Sequence, residues 1–390
     1  MTWQLPVLPF FDETHRRLAE RIATWCDANA ALLDQHPDAD GMEATCRAIL
    51  SSLSEAGFGE YVVPHVVDGR VQRPDVRSIC ILREAITYRS FLADTMFVMQ
   101  GLGTAALWKW QDTEARDRYL DGARRGTHVA ALALTEPETG SDVAAITTRA
   151  VRDGDDYVID GAKAWISSAG IADHYVVVAR TGEGPGAKGL SAFILDADTP
   201  GLRAGPPVEM IAPHPIGPVA FEGCRVPGSR RIGPAGEGFK AAMATFDIFR
   251  PTVGGAAVGA ARRALDETIA RVTTRRLFGK TMAEMESVQA KIADMTADTE
   301  TAALMVYRAA WTADVVGGRV SRESALAKLV ATEAAGRVID SAVQLFGALG
   351  VARGSVIEQL YRDVRPMRIY EGASEVQRVV IARSMLRARA

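Results

Sequence analysis

The sequence predicts an α+β protein, mainly α, in which a helical N-terminal domain precedes a middle antiparallel β domain and a C-terminal helical bundle. Three observations carry this. Apolar residues recur at three- and four-residue spacing from Asp12 to Arg124. Turn-forming dipeptides and β-branched runs replace that period from Thr127 to Gly233. The helical period returns after Gly238. The expected domain boundaries are 1–126, 127–235 and 236–390.

In the first segment, Leu18, Ile22 and Trp25 share one helical face, as do Ile49, Leu53 and Gly57, and the breakers cluster at His36-Pro37-Asp38, Val63-Pro64 and Pro74. In the second, Asp153-Gly154 and Asp160-Gly161 are two-residue hairpin signals around Tyr157-Val158-Ile159, followed by Lys163-Ala164-Trp165-Ile166. Tyr175 to Val178 and the alternating Ser191, Phe193 and Leu195 continue the strand pattern, with turns at Gly182 to Gly189 and at Pro200-Gly201. In the third, Val258, Ala261, Leu265, Ile269 and Val272 lie three or four residues apart, and Leu326, Val330, Val338 and Leu345 form a later stripe. The small residues of Gly254 to Ala261 allow helices to approach closely.

With 390 residues, 48% hydrophobic and 24% charged, the chain has an ordinary globular composition and enough length for two or three domains. Its 45 basic and 48 acidic residues give a net charge of −3, which offers no electrostatic reason for nucleic-acid or anionic-membrane binding. Cys26, Cys46, Cys80 and Cys224 lack any zinc or disulfide spacing and are expected as buried thiols in a reducing compartment. Met1 to Phe11 has no basic residue ahead of an apolar run, and charges flank Gly255 to Ala261, so neither a signal peptide nor a membrane span is expected. The expected location is cytoplasmic.

The sequence contains no GxxxxGK[ST], HExxH, GxSxG or strand-to-helix GxGxxG. The histidines at 15, 36, 65, 128, 174 and 214 form no ligand spacing and read as surface or packing residues; no metal is expected. Three segments carry candidate chemistry. Leu134 to Asp142 is rich in hydroxyls and turn formers suited to a heteroaromatic ring or a phosphate tail, or to a capped turn alone. Trp165-Ile166-Ser167-Ser168 offers either an indole to stack on a flat cofactor or a buried core tryptophan. Glu371-Gly372, in an apolar and basic neighbourhood, is either a carboxylate raised by burial to serve as a base or a salt-bridged surface group.

In this order, Leu134 to Asp142, Trp165 to Ser167, Arg275 to Lys280, Gln344 to Gly350 and Tyr370 to Ser374 strongly resemble the acyl-CoA dehydrogenase family over nearly the whole chain. The resemblance implies the three-part fold above, ending in a four-helix bundle, and FAD as cofactor. It implies that Thr135 bonds the pyrimidine side of the flavin, that Trp165 stacks on it and that Ser167 is the hydroxyl donor near N5. It assigns Arg275 and Phe278 to the FAD of a neighbouring subunit, Gln344 and Gly347 to its adenosine diphosphate portion, and Ser374 and Glu375 to further FAD contacts. It makes Glu371 the catalytic base; the alternative position in some branches is Phe249 here, which cannot act. Ser141, Asp247, Arg250, Gly372 and Arg383 match acyl-CoA contacts, with Asp247 and Arg250 equally readable as an i,i+3 ion pair. Met96, Met99 and Gln100 lie on a helix that lines the acyl pocket in relatives, or simply pack the core.

The resemblance further implies dehydrogenation to a trans-2-enoyl-CoA, reoxidation by an electron-transfer flavoprotein, and a homotetramer built as a dimer of dimers with FAD sites completed across the dimer. An oxidase of the same fold, or a silent flavin- or acyl-CoA-binding partner protein, are the alternatives. Three positions depart from the family pattern: Glu286 for a glutamine, Ala348 for a glycine and Ala373 for a threonine.

Overall fold

The computed structural model describes residues 2–68, 70–110 and 113–387. The main helices of the first segment are α1 (Glu13–Ala28), α2 (Met42–Glu55), α3 (Val76–Arg89), α4 (Phe91–Leu102) and α5 (Thr113–Arg124). The sheet strands follow: β1 (Ala130–Ala133), β2 (Arg149–Asp153), β3 (Asp156–Ser167), β4 (His174–Arg180), β5 (Leu190–Asp196), β6 (Leu202–Ala204), β7 (Ile216–Pro227) and β8 (Arg231–Ile232). Then come α6 (Gly238–Thr274), the small hairpin β9 (Arg276–Leu277) and β10 (Lys280–Thr281), α7 (Glu286–Trp311), α8 (Ser321–Phe346), α9 (Val356–Val364) and α10 (Ser374–Arg387). N-terminal helices, a middle sheet and C-terminal helices are thus the architecture.

By compactness the chain divides into two units, one of Met1–Asp34, Asp75–Asp94 and Asp247–Ala390, the other of Gln35–Pro74 and Thr95–Phe246.

The second unit holds the eight-stranded sheet, in the order β8-β5-β4-β2-β3-β7-β6, with β1 paired to β4. Its long pairings are antiparallel, but β1 runs parallel to β4, because the β2–β3 hairpin intervenes before the chain returns beside β1. The Asp153-Gly154 signal makes the β2–β3 turn, with Asp153 opposite Asp156. Asp160-Gly161 makes no hairpin: it lies inside β3, where the register against β7 slips between Ile159 and Gly161. Gly161 has φ +146, and a Cβ there would meet Thr148 at 2.7–2.9 Å, so the glycine serves close backbone approach rather than chain reversal. Every residue of β5 from Leu190 to Leu195 is buried, so both faces of this strand are covered and the expected alternation of burial is absent.

In the first unit the caps of α1 and α3 are joined. Asp12 caps α1 in a capping box with His15, and His15 Nε2 reaches Asp75 at 2.9 Å, which itself caps α3 through Ser78 N–H. His15 is the packing histidine the sequence suggested. The small-residue stretch of α6 fits closely against α3: a Cβ at Gly259 would sit 2.1 Å from Glu84 O, and one at Gly255 2.8 Å from Cys80 O. The buried Glu84 carboxylate beside this contact accepts from Trp3 Nε1 (3.1 Å), Arg262 Nε (2.9 Å) and Tyr307 Oη (2.5 Å). Three donors satisfy a charge that would otherwise be costly to bury. All four cysteines are buried and free. No helix among the described residues is long and apolar enough to cross a membrane.

Candidate active site

On the sheet unit, the site is built by a bulge. Between Lys163 and Ile166, β3 takes one more residue than β7, and Trp165 adopts φ +58. The indole is turned outward and is 55% exposed, which rules out the buried-core alternative. Behind it, fully buried Lys163 donates from Nζ to Leu134 O and Glu136 Oε1, both at 2.9 Å. Glu136 also accepts from Thr147 N (2.7 Å) and Thr148 N (2.9 Å). Burial works against this carboxylate, but the bonds from Thr148, Thr147 and Lys163 prevail and hold it at about 2. Ala164 N donates to Thr135 O at 2.9 Å, so the 134–142 loop is fastened beside Trp165. Thr135 is half-buried, and Ser141 is exposed at the far end of that loop.

Ser167 ends β3 with its hydroxyl 2.8 Å from His214 Nε2. Burial alone lowers His214 to about 4. Gln100, on α4, is 2% exposed, and neither polar atom of its amide has a hydrogen-bond partner among the described residues; Met96 and Met99 beside it are buried.

On the helical unit, the loop between α9 and α10 carries Glu371 at φ +51 and Gly372 at φ +93. A non-glycine residue held there costs about 1–3 kcal/mol and must be over-determined by its surroundings. The surroundings are evident. Arg250 Nε donates to Glu371 O (3.2 Å), Gln377 Nε2 to Glu371 O (3.3 Å) and Gly372 O (2.7 Å), and Lys328 Nζ to Gly372 O (2.8 Å). Glu371 Oε2 is enclosed and has no hydrogen-bond partner among the described residues. Burial pushes this carboxyl above the ordinary range, against the pull of Arg83, Lys328 and Arg250. Arg83 is itself bound two-fold to Asp94, at 2.8 and 2.6 Å, and donates to Thr252 at 2.9 Å. Burial likewise lowers the Lys328 ammonium to about 8, with Glu371 pulling it the other way. The surface salt-bridge alternative for Glu371 does not describe this environment.

The remaining sequence-derived residues of this unit lie as follows. Asp247 and Arg250 form the i,i+3 pair at 3.8 Å, and Asp247 also accepts from Ser321 at 2.9 Å. Phe249 is fully buried. Ser374 is buried and donates to Glu333 at 2.6 Å; Glu375 is exposed beside Arg378, and Arg383 is exposed on α10. Arg275 precedes the β9–β10 hairpin, whose tip carries Phe278, 93% exposed at φ +51. Gln344 is exposed near the end of α8, and Gly347 caps that helix at φ +64, with open space where a Cβ would be. Glu286 is exposed in the first turn of α7, where a negative charge suits the helix N-terminus. No group of three or more His, Cys, Asp or Glu among the described residues could hold a metal ion.

Family models for the middle and C-terminal domains of acyl-CoA dehydrogenase match residues 131–224 and 236–386. The "Probable acyl-CoA dehydrogenase FadE25" of Mycobacterium tuberculosis (strain ATCC 25618 / H37Rv) is 38% identical over 340 residues, 87% of each chain. The chain belongs to the acyl-CoA dehydrogenase family. It is an oxidoreductase of that family. The butyryl-CoA dehydrogenase of Megasphaera elsdenii has the same fold, with TM-score 0.87 and 28% identity over 98% of this chain and 100% of the other. An FAD complex of PigA superposes with TM-score 0.86 and 25% identity, covering 98% and 99%.

Five non-glycine residues have left-handed φ among those described; three of them, Trp165, Phe278 and Glu371, fall in segments that carry the acyl-CoA dehydrogenase resemblance, and Ser168 directly follows one of these segments. Backbone strain is concentrated there. Sequence reasoning missed His214, Lys328, Gln377 and the Lys163–Glu136 pair. The proline on either side of His214 was the available signal for the first; the others carry no local signature.

Proposed function

We propose that this enzyme converts an acyl-CoA thioester to a trans-2-enoyl-CoA, with Glu371 as the base that removes the α-proton. The observation that carries the proposal is Glu371 Oε2, enclosed and without a hydrogen-bond partner among the described residues, on a backbone fixed through its own carbonyl by Arg250 and Gln377. A carboxylate kept from water has a raised proton affinity, which suits it to abstract a proton near neutral pH. Hydrogen bonds to the thioester oxygen are needed as negative charge develops there.

FAD is the cofactor we infer. The donor set fits a flavin: on the sheet unit, the exposed Trp165 indole and the Ser167 hydroxyl at the end of β3, with the Thr135 hydroxyl on the loop fastened to that strand through Ala164 N; on the helical unit, Gly347 has open space where a Cβ would be, which leaves its backbone accessible to a phosphate-bearing tail. Bound there, FAD would supply the hydride acceptor for the β-hydrogen. Trp165 would lie along the ring, with Thr135 and Ser167 at its polar edges. Gln344 and Gly347 would meet the adenosine diphosphate portion of a neighbouring copy's FAD, and Glu375 would make a further FAD contact. Ser374, its hydroxyl committed to Glu333, would contribute its backbone N–H at the start of α10. Arg275 and Phe278 would serve the FAD of a second copy, which makes a dimer a condition of the site; the homotetramer, a dimer of dimers, is the assembly taken from the family. Ser141, Asp247, Gly372 and Arg383 would meet acyl-CoA, and Arg250 would act mainly through the Glu371 carbonyl. The segments 1–126, 127–235 and 236–390 are taken as the three domains, an electron-transfer flavoprotein as the acceptor, and the cytoplasm as the location.

An anaerobic panel of acyl-CoA thioesters, followed by flavin absorbance, tests the activity and selects the acyl class together. Bleaching by one class is expected, and Glu371→Gln should retain FAD and bind that thioester while bleaching at least about 100-fold more slowly. Unchanged bleaching by the variant would refute the base. Stoichiometric hydrogen peroxide in air would indicate an oxidase, and tight binding with no bleaching of the unaltered protein a silent partner.

A further inference from the structure

His214 has no role in the site proposed above, yet it is placed with care. It stands between Pro213 and Pro215 just ahead of β7, and each proline ring fixes its own φ near −65°. Pro215 further restricts His214 to extended backbone. Pro215 O accepts from Ser168 N at 2.5 Å, and Ile216 pairs with Ser167 in the β3–β7 register, so the stiff segment is tied to the end of β3. The result is an imidazole whose Nε2 lies 2.8 Å from Ser167 Oγ. Burial keeps the ring neutral at ordinary pH.

A serine hydroxyl has one proton and two lone pairs and rotates freely unless a partner occupies one of them. A neutral imidazole donates from one nitrogen and accepts at the other. With its proton on Nε2, His214 fills one acceptor position of Ser167 and leaves the serine's own proton as the only one directed away from the pair.

We propose that His214 is a positioning residue that donates from Nε2 to Ser167 and so commits the Ser167 hydroxyl to act as a hydrogen-bond donor toward N5 of the bound flavin. The inference rests on the proposed flavin site, and the experiment separates the two. Holoenzymes carrying His214→Asn, His214→Gln, Ser167→Ala and the double change Ser167→Ala/His214→Asn are compared with the unaltered protein by visible flavin spectrum and by flavin midpoint potential. Glutamine carries its amide nitrogen about where imidazole Nε2 lies, whereas asparagine is one methylene too short; both are polar and similar in bulk, so a merely structural role would treat them alike. Ser167→Ala is expected to shift the flavin band and potential, His214→Asn to shift both in the same direction, and His214→Gln to restore them. The double variant should match Ser167→Ala, because the histidine acts only through the serine. A shift on Ser167→Ala with none on His214→Asn, or additive shifts in the double variant, would overturn the role of His214 alone. A flavin indifferent to Ser167→Ala, or protein that takes up no FAD, would overturn the flavin site and this inference with it.

Discussion

Glu371 combines a left-handed backbone with a buried carboxylate oxygen that no partner among the described residues satisfies, and three cations moderate the cost. Two of them are offset nearby, Arg83 by Asp94 and Arg250 by Asp247. Lys328 instead donates a hydrogen bond from Nζ to the Gly372 carbonyl, next along the chain from the base. Replacing Lys328 by methionine removes a positive charge that favours ionised Glu371, so the carboxyl should rise further. A base works only when ionised, so the acid limb of kcat/KM should move to higher pH in Lys328→Met. The difference should fade above pH of about 8, where the lysine itself loses its charge. A limb that stays in place or moves to lower pH would show that Lys328 does not tune the base. At this scale the sequence was legible where a residue's type announces its chemistry, as with Glu371 and Trp165. It was not legible for Lys328 or His214, whose partners come from distant positions: Gly372 is 44 residues away from the first and Ser167 47 from the second.

Helix α6 shows how an element can defy its local propensities. A glycine inside a helix is worth about 1 kcal/mol less than alanine, so Gly259→Ala should stabilise the protein if propensity decided the matter. It does not decide here, because the new Cβ would stand 2.1 Å from Glu84 O, a backbone atom that no rotamer change can move. Overpacking of this kind costs about 1–3 kcal/mol or more. Gly259→Ala should therefore lower the urea midpoint, and an unchanged or higher midpoint would mean that α3 and α6 are not in contact as described. The spacing of Val258, Ala261 and Val272 located the buried face of α6, yet Ile269 on the same stripe is 40% exposed. On α8 the deeply buried residues include Ala325, Ala327, Lys328 and Ala331, while Leu326 and Val330 are only half-buried. Small residues mark the close contacts there, and a count of large apolar residues overlooks them. The Asp160-Gly161 dipeptide misled for a related reason: a glycine with positive φ is needed both to reverse a chain and to pass close to another strand. Only the register across β3 and β7 distinguishes the two uses.

Across the whole molecule, folding and assembly make separable demands. Phe278 is the clearest instance, since its ring is 93% exposed and the hairpin that presents it is closed by its own β9–β10 pairing. A side chain with so little contact in its own chain adds little to folding, and surface changes of this sort usually alter stability by less than about 0.5 kcal/mol. The strained φ of +51 at an aromatic residue, followed by Gly279 at φ +81, is nevertheless maintained. If a second copy completes the FAD site, Phe278→Ala should keep the thermal midpoint of the apoprotein while releasing FAD faster on desalting and dissociating to smaller species at higher protein concentration. Light scattering across a dilution series, with flavin absorbance on each fraction, reads both effects. Alanine retains the cost of the left-handed backbone, so any change is due to the lost ring and not to relieved strain. Equal FAD retention and equal mass at every concentration would reduce the hairpin to a surface turn and remove the second copy from the proposed site, while leaving Glu371 and the sheet-borne Trp165 and Ser167 untouched.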